Sequence, residues 1–148
     1  MRRLLGLLRS SDERGSTSLE AAIVVPAFLL FVGLIIFAGR TALAHQAVQS
    51  AAYDAARAAS LARSPDVAER AARDAVAQTL SNLELRCAET SVVVDTSALS
   101  APLGEYGTVA AEVTCVVDLG DLAVPGMPGT RTVRVSMSSP VDAFRERG

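Results

Sequence analysis

Three patterns of apolar and polar residues follow one another along the chain, and the first is the longest. The segment Ala21–Gly39 contains no charged side chain and is bounded by Glu20 and Arg40. In a helix, about nineteen residues with a rise of ~1.5 Å each span nearly the ~30 Å hydrocarbon core of a bilayer. The pattern predicts a single membrane-spanning helix, with the buried core helix of a soluble domain as the alternative. Pro26 lies near the start of the run, where a helix kink is tolerated.

The residues after Arg40 favour a continuation of the same helix. From Thr41 to Arg63 the chain is rich in Ala and contains neither Gly nor Pro, which suits a helix. Alanines recur at spacings of three or four, so one face carries an apolar stripe. The stripe packs either on the chain's own sheet or on another subunit, and the sequence leaves both open. Its members are Ala44, Ala47, Ala51, Ala55, Ala58 and Ala62.

A second helix is predicted after a break at Ser64-Pro65. Ser64 suits the N-cap, and Pro65 suits the first helical position. The helix runs to about Leu80, and Asn82 closes it. Its apolar stripe is predicted to contain Ala68, Ala72, Val76, Leu80 and Leu83.

Beyond Leu83 the apolar period changes from about four to two, which is typical of strands. Strands are predicted over Thr90–Asp95, Thr108–Asp118 and Thr130–Ser138. The last two alternate between an apolar and a polar face, as in an antiparallel sheet that is covered on one side, and the first is a candidate from the valines at 92–94. The fold class predicted is therefore α+β, with the helices covering a sheet of about three strands. The inward residues of the last two strands are Val109, Ala111, Val113, Cys115, Val117, Val133, Val135 and Met137.

The two cysteines have positions compatible with a disulfide. Cys115 lies on the apolar face of the clearest strand, and Cys87 alternates in phase with Leu83 and Leu85. Two inward cysteines in a small sheet can reach the Cα spacing of about 5.5–6 Å that a bridge needs. The alternative is two buried free thiols that behave as small apolar residues.

Glu20 has a purely structural interpretation. Thr17 and Glu20 fit a capping box, in which the hydroxyl and the carboxylate satisfy the first N–H groups of a helix. On this interpretation, Glu20 serves only to start the helix.

The junction between the basic N-terminal segment and the membrane helix, residues 14–20, also has a functional interpretation, which rests on a resemblance. This junction resembles the processing site of class III signal peptides, the type IV prepilins, in which a short basic leader ends in Gly and a Glu stands fifth in the mature chain. More narrowly, it resembles the opening of TadE-like (TadE/TadG) proteins of the Tad/Flp tight-adherence pilus system. The positions that match in order are Gly15, Glu20, Pro26, Gly39 and Arg40.

The resemblance implies a role as a pseudopilin or minor pilin that assists assembly of a Tad/Flp-type adhesion pilus. A prepilin peptidase would cut after Gly15, Ser16 would become the N-terminus, and the Glu20 carboxylate would take part in assembly. The implied partners are the membrane, this peptidase, other pilin-like subunits and the assembly platform.

Four segments follow: a cytoplasmic basic leader over 1–15, the membrane helix over 16–40, an extracytoplasmic helical region over 41–83, and a small antiparallel β domain over 84–148. Because positive charge beside a membrane helix tends to stay in the cytoplasm, the N-terminus is predicted to be cytoplasmic. The protein is then a single-pass protein of the bacterial inner membrane, with entry into the pilus left open. The cations on the leader are Arg2, Arg3, Arg9 and Arg14, against Arg40 on the far side.

A rival cleavage site gives a second function. Ala42-Leu43-Ala44 has the small-x-small form that ordinary signal peptidase reads. Cleavage after Ala44 would release a secreted protein that begins at His45. The alternative function is therefore an extracytoplasmic binding module, secreted or membrane-anchored through an ordinary signal sequence.

The composition offers little for catalysis. The sequence has one His, His45, which we interpret as interfacial, and it lacks the phosphate-binding, nucleophile-elbow and zinc-protease motifs. The formal net charge of −2 provides no basic field for nucleic acid. We therefore expect no enzymatic activity, no cofactor, no metal, no nucleic acid and no small-molecule substrate.

Overall fold

The computed structural model describes residues 12–102, 104–120, 126 and 129–142, with side chains from Glu20 onward. These residues fall into two units, divided between Ala38 and Gly39, and helix α1 contributes to both. The predicted α+β class is confirmed. The elements are α1 (Asp12–Ser60), α2 (Pro65–Asn82), β1 (Cys87–Asp95), a 3₁₀ helix (Ser97–Ser100), β2 (Gly107–Asp118) and β3 (Thr130–Val141).

In the first unit, α1 begins before the predicted capping box. The helix starts at Asp12, five residues ahead of Thr17. The amides that follow Thr17 therefore have carbonyl partners four residues back, and no free N–H remains for its side chain to cap. The capping interpretation of Thr17 and Glu20 is wrong for the full-length chain.

In the second unit, the remainder of α1 supplies much of the core. The predicted helix from Thr41 is confirmed, although it ends at Ser60 rather than at Arg63. The Ala stripe is buried by the chain's own residues, which decides between the two packing alternatives; Ala58 is only half-buried. The buried residues of this part of α1 are Ala44, Ala47, Val48, Ala51, Ala52, Ala55, Ala56, Ala59 and Ser60.

Helix α2 has the predicted start and the predicted core face. Ser64 occupies the N-cap position but makes no side-chain cap hydrogen bond, and Pro65 begins the helix. Four predicted stripe residues, Ala68, Ala72, Val76 and Leu80, are buried. The assignment of Leu83 to that stripe is wrong, because its side chain is 51% exposed at the C-cap.

The end of α2 differs from the predicted closure at Asn82. Leu83 is the C-cap, and Glu84 follows it with a φ of 54°. The Leu85 N–H donates to the Leu80 carbonyl at 3.0 Å, and the Glu84 N–H donates to the Ser81 carbonyl at 3.1 Å. These two bonds form a Schellman motif, whose left-handed position usually carries Gly.

The sheet is antiparallel with the order β1-β2-β3. All three predicted strands exist, and β1 and β3 are longer than predicted, beginning at Cys87 and ending at Val141. The predicted inward residues of β2 are buried, as are Val133 and Val135 of β3, while Met137 is half-buried. The apolar face of the central strand therefore forms the sheet side of the core.

A bulge near the start of β1 sets the direction of Cys87. Thr90 pairs with Cys115, whereas Cys87 pairs with Val117, and the register shifts between Cys87 and Glu89. Because side chains alternate along a strand, one extra residue reverses their phase. Cys87 consequently faces the same side of the sheet as Val117 and Cys115.

The connection from β1 to β2 folds back against the sheet. The Asp95 carboxylate accepts a hydrogen bond from the Ser97 backbone N–H at 3.0 Å, and this bond holds the pKa of the Asp95 carboxyl below its usual value, with a smaller contribution from the Ser97 hydroxyl. Leu99 of the 3₁₀ helix is buried. A Cβ placed on Gly107 would lie 2.7 Å from the Ala98 Cβ, so the approach of this segment needs glycine there.

Side-chain hydrogen bonds of Asp54 and Ser60 join α1 to other elements. The Thr79 hydroxyl of α2 donates to the Asp54 carboxylate at 2.7 Å. The Ser60 hydroxyl donates to the Arg57 carbonyl at 2.9 Å and lies 3.0 Å from the Ser139 hydroxyl of β3. Since Ser60 has a single hydroxyl proton, Ser139 is the donor in the second contact. These bonds fix the second half of α1 to both α2 and β3.

Candidate functional site

The predicted processing site lies in the first turns of α1. Gly15 and Ser16 belong to its continuous helical backbone, three and four residues after Asp12. The structure describes the backbone of this segment but not its side chains. Cleavage between Gly15 and Ser16 thus stays a prediction, and a peptidase would have to act on a bond in the first turns of a helix.

Glu20 is exposed and stands directly before the apolar run. Between Glu20 and Arg40, the helix contains no charged residue. The carboxylate therefore lies at the boundary between a charged segment and a surface that is unfavourable for charge. This position allows it to meet a cation from another molecule, because nothing in the described part of the chain covers it.

The apolar part of α1 is not covered by the described residues. Among those residues, the structure contains one helix, Glu20–Ser60, that is long and apolar enough to cross a membrane by length and composition, and its most apolar window is unburied. Among the described residues, the run is therefore not covered in the way that the core helix of a soluble domain is. The exposed large side chains are Ile23, Val24, Val25, Phe28, Leu29, Leu30, Phe31, Leu34, Ile35 and Ile36.

Pro26 lies inside α1, which continues through it. Its ring removes the N–H that would donate to the carbonyl of Ala22. The predicted kink is a consequence expected of this missing bond, and it stays a prediction.

A cavity of about 300 Å³ lies in the second unit, around the part of α1 that follows Arg40. Its walls carry two cations, Arg40 and Arg86, and two carboxylates, Glu84 and Asp118. The charges balance, so the cavity has no net charge with which to select an ionic ligand. The remaining lining residues are Leu43, Ala44, Ala47, Leu83, Leu85, Val117 and Leu119.

Cys87 and Cys115 are joined by a disulfide, with a Cα–Cα distance of 5.4 Å. Cys115 is fully buried on β2, and Cys87 is half-buried at the start of β1. The bond closes a loop with a sequence separation of 28 and fixes the bulged start of β1 to the central strand. The disulfide has a structural role, because it joins two neighbouring strands on the buried face of the sheet.

No catalytic or metal-binding arrangement is found in the part of the chain that the structure describes. His45 is exposed on α1, and the described residues include no group of three or more His, Cys, Asp or Glu that could hold a metal ion. The sequence-predicted residues fall into two sets: Gly15, Ser16, Glu20 and Pro26 on the first unit, and Cys87 with Cys115 on the second.

Sequence reasoning missed the polar contacts that hold the second unit together. Asp54 and Thr79 lie 25 residues apart, and Ser60 and Ser139 lie 79 apart. The sequence signal for these contacts is a polar residue within an Ala-rich helical segment. This signal does not identify the residue that it contacts, because the partner strand or helix is not known from the sequence.

These features define an α+β protein with one N-terminal helix of a length and composition suited to a single membrane crossing. Residues 15–57 match the family model described as TadE-like protein. The match confirms the predicted resemblance over this part of the chain, and it ends within α1, before α2 and the sheet. No match was found among curated proteins or among solved structures.

Proposed function

We propose that this chain is a pilin-like membrane protein, a pseudopilin or minor pilin, that assists assembly of a Tad/Flp-type adhesion pilus. The observation that carries the proposal is the family match over residues 15–57, on the helix that bears both Gly15 and Glu20. The uncovered apolar surface between Glu20 and Arg40 supports it further, because such a surface suits a bilayer or neighbouring apolar helices.

The proposed location is the bacterial inner membrane, crossed once by residues 16–40. The arginines of the leader keep the N-terminus in the cytoplasm, so that the helical region over 41–83 and the β domain over 84–148 lie outside. The disulfide supports this side for the second unit, because disulfides persist in oxidising compartments.

Processing is proposed to occur between Gly15 and Ser16. A prepilin peptidase removes the cytoplasmic leader, and the new α-amine of Ser16 and the carboxylate of Glu20 are then available to other pilin-like subunits and to the assembly platform. No active site, cofactor or small-molecule substrate is part of this proposal.

Cleavage by ordinary signal peptidase after Ala44 is less well supported. Ala44 and the adjacent turn of α1 belong to the second unit, which begins at Gly39, and Ala44 is itself buried. Cleavage at that site would remove a residue of the folded core. A secreted binding module starting at His45 is thus the weaker alternative.

The test is the N-terminal sequence of the mature protein purified from its own host. A start at Ser16 is expected. A start at His45 would favour the secreted module, and a start at Met1 would indicate a plain membrane anchor.

A substitution makes the same test specific. We expect Gly15→Val to leave the leader attached, because a peptidase subsite that receives a residue without a Cβ excludes a branched side chain. Gly6→Val is the matched control, since it makes the same change elsewhere in the leader, and it should be cleaved normally on an immunoblot. Normal shortening of the Gly15→Val protein would overturn the processing proposal.

A further inference from the structure

Strand β3 forms a regular edge of the sheet, and no strand among the described residues pairs with its outer side. Its register with β2 is continuous from Gly107–Val141 to Asp118–Thr130, whereas the opposite edge strand, β1, is shorter and bulged. In an antiparallel sheet, directly opposed residues alternate between pairs that exchange hydrogen bonds and pairs that do not. The second kind turn their main-chain N–H and C=O groups away from the partner strand.

The turn between β2 and β3 shows which residues of β3 point outward. The Leu119 N–H donates to the Gly129 carbonyl at 2.8 Å, and this pair continues the β2–β3 register. The hydrogen-bonded positions of β3 are therefore odd-numbered and the outward positions are even-numbered. Pro140, which has no N–H, fits this assignment because it falls at an even position. The outward donors are Thr132, Arg134, Ser136 and Ser138, all of them exposed.

A groove runs beside this edge, between β3 and the exposed side of α1. Its volume is about 740 Å³, and Tyr53 and Met137 supply its apolar lining. Its polar lining comes from Gln46, Gln49, Ser50 and Asp54. Asp54 is already an acceptor for the Thr79 hydroxyl, so the two amides and the Ser50 hydroxyl are the other polar side chains of the lining.

The charge on this edge is one-sided. The sequence of β3 contains Arg131 and Arg134 and no carboxylate, and both arginines are exposed. Arg134 has a distant contact with Glu112, 3.6 Å between Nε and Oε1, on a solvent-exposed surface, where such a pair contributes little. An incoming acidic side chain would therefore find positive charge at this end of the strand.

We propose that β3 is a docking edge for an extended segment of a partner protein, which adds to the sheet as a fourth strand. The outward N–H and C=O groups can form hydrogen bonds with another main chain in the β conformation. The groove favours apolar side chains at alternate positions of that chain, in contact with Tyr53 and Met137. The arginines favour an acidic residue near the Arg131 end. This interaction does not depend on cleavage at Gly15, so its failure and the failure of the proposed function are distinguishable.

The test is photo-crosslinking in the membrane of the native host, with the full chain carrying benzoylphenylalanine in place of Gln49 on the groove wall. We expect one adduct, whose crosslinked peptide, read by mass spectrometry, is a proline-free segment with alternating apolar residues and an acidic residue. The same probe at Glu89 on β1 is the positional control and should not give this adduct.

Two substitutions at one position separate main-chain from side-chain recognition. Ser136→Pro removes an outward N–H without removing a β2–β3 hydrogen bond, and should lower the adduct about fivefold, as expected for one lost hydrogen bond. Ser136→Ala keeps the N–H and should change the adduct less than twofold. Thermal unfolding of the two variants should coincide. If the proline variant is unfolded, Arg131→Glu, with Arg131→Gln as its control, takes its place and should lower the adduct about as much.

Three results would overturn the proposal. Absence of an adduct would mean that the edge has no occupant. An adduct that is equally strong in the proline, alanine and charge-reversed variants would mean that no strand is added. A crosslinked peptide from a second copy of this chain would replace the partner protein with a homodimer.

Discussion

At the scale of single residues, the structure constrains residue type at two positions, through backbone conformation at Glu84 and through space at Gly107. Glu84 adopts a φ of 54° after α2, a conformation that costs a non-glycine residue about 1 kcal/mol or more. Gly107 instead has an ordinary φ and is selected by space, because any Cβ would meet Ala98. Glycine is therefore favoured at position 84, whereas any residue with a Cβ is disfavoured at position 107.

We expect Gly107→Ala to destabilise the second unit by about 1–3 kcal/mol, the usual cost of overpacking. The added Cβ would stand 2.7 Å from the Ala98 Cβ, and a methyl carbon has no flexible end that can move aside. Urea unfolding of the detergent-solubilised full chain, followed by circular dichroism, measures the change.

Ala98→Gly provides the matched control for this prediction. Combined with Gly107→Ala, it removes the clash, so the double variant should recover most of the lost stability and the two changes should be strongly non-additive. Unchanged stability in Gly107→Ala, or additive effects in the double variant, would show that the 3₁₀ helix is free to move away.

Neither constraint could be predicted from the sequence. Asn is a favoured residue for closing a helix, yet the C-cap of α2 is Leu83 rather than Asn82. Glu84 follows it in the left-handed conformation. The proximity of Gly107 to Ala98 depends on where the 3₁₀ helix lies, which local pattern does not determine. Leu83 was misassigned for the same reason, since extrapolating the helical period carried the stripe beyond the true end of α2.

At the scale of elements, periodicity predicted most of the core face of the helices beyond Arg40 and of β2 and β3, although Ala58 and Met137 are only half-buried and Leu83 is exposed. The four buried residues of α2 and the five of β2 follow from spacings of three to four and of two. The bulge at the start of β1 did not follow, because inserting one residue into a strand leaves no clear trace in a short apolar run. Cys87 was nevertheless predicted to face inward, from its phase with Leu83 and Leu85 rather than with Val92 and Val94.

The disulfide across this bulge should make a large contribution to stability. The sequence separation of 28 corresponds to roughly 3–4 kcal/mol in the chain-entropy account. We therefore expect the double variant Cys87→Ala and Cys115→Ala to unfold with a free energy lower by about that amount, measured by urea titration of the full chain in detergent.

Reduction provides the control for the disulfide prediction. Dithiothreitol should lower the stability of the unmodified protein and leave the double alanine variant unchanged. Mass spectrometry of unreduced protein, alkylated under denaturing conditions in the native envelope, should find neither cysteine labelled. Two labelled thiols would contradict the bond.

At the scale of the whole molecule, the two units differ in whether their apolar surface is covered. The first has an apolar surface that the described residues leave uncovered, together with the candidate processing and assembly residues. The second buries its own Ala-rich stripe and is closed by a disulfide. The candidate processing and assembly residues were inferred from a linear order of charges and apolar residues, and they stay predictions. The β3 edge could not be predicted from the sequence, because it depends on sheet order and register.

The last prediction concerns the carboxylate of Glu20. The helix begins at Asp12, so this side chain is not needed as a cap in the full-length chain. If it instead meets the Ser16 α-amine of a neighbouring subunit at the membrane edge, removing its charge should weaken a charge-assisted hydrogen bond. We expect Glu20→Gln to be inserted and cleaved normally, and to co-purify with its pilin-like partners about tenfold less.

Glu69→Gln is the matched control for this substitution. It makes the same chemical change in a solvent-exposed pair with Arg73, at 2.6 Å on α2, and such pairs contribute little. Co-purification of Glu69→Gln should therefore equal that of the unmodified protein. Equal recovery of partners with Glu20→Gln would show that the charge of Glu20 has no part in assembly, while normal cleavage in the same sample would leave the processing proposal standing. The two roles proposed for this junction, cleavage at Gly15 and partner binding through Glu20, are thereby tested separately.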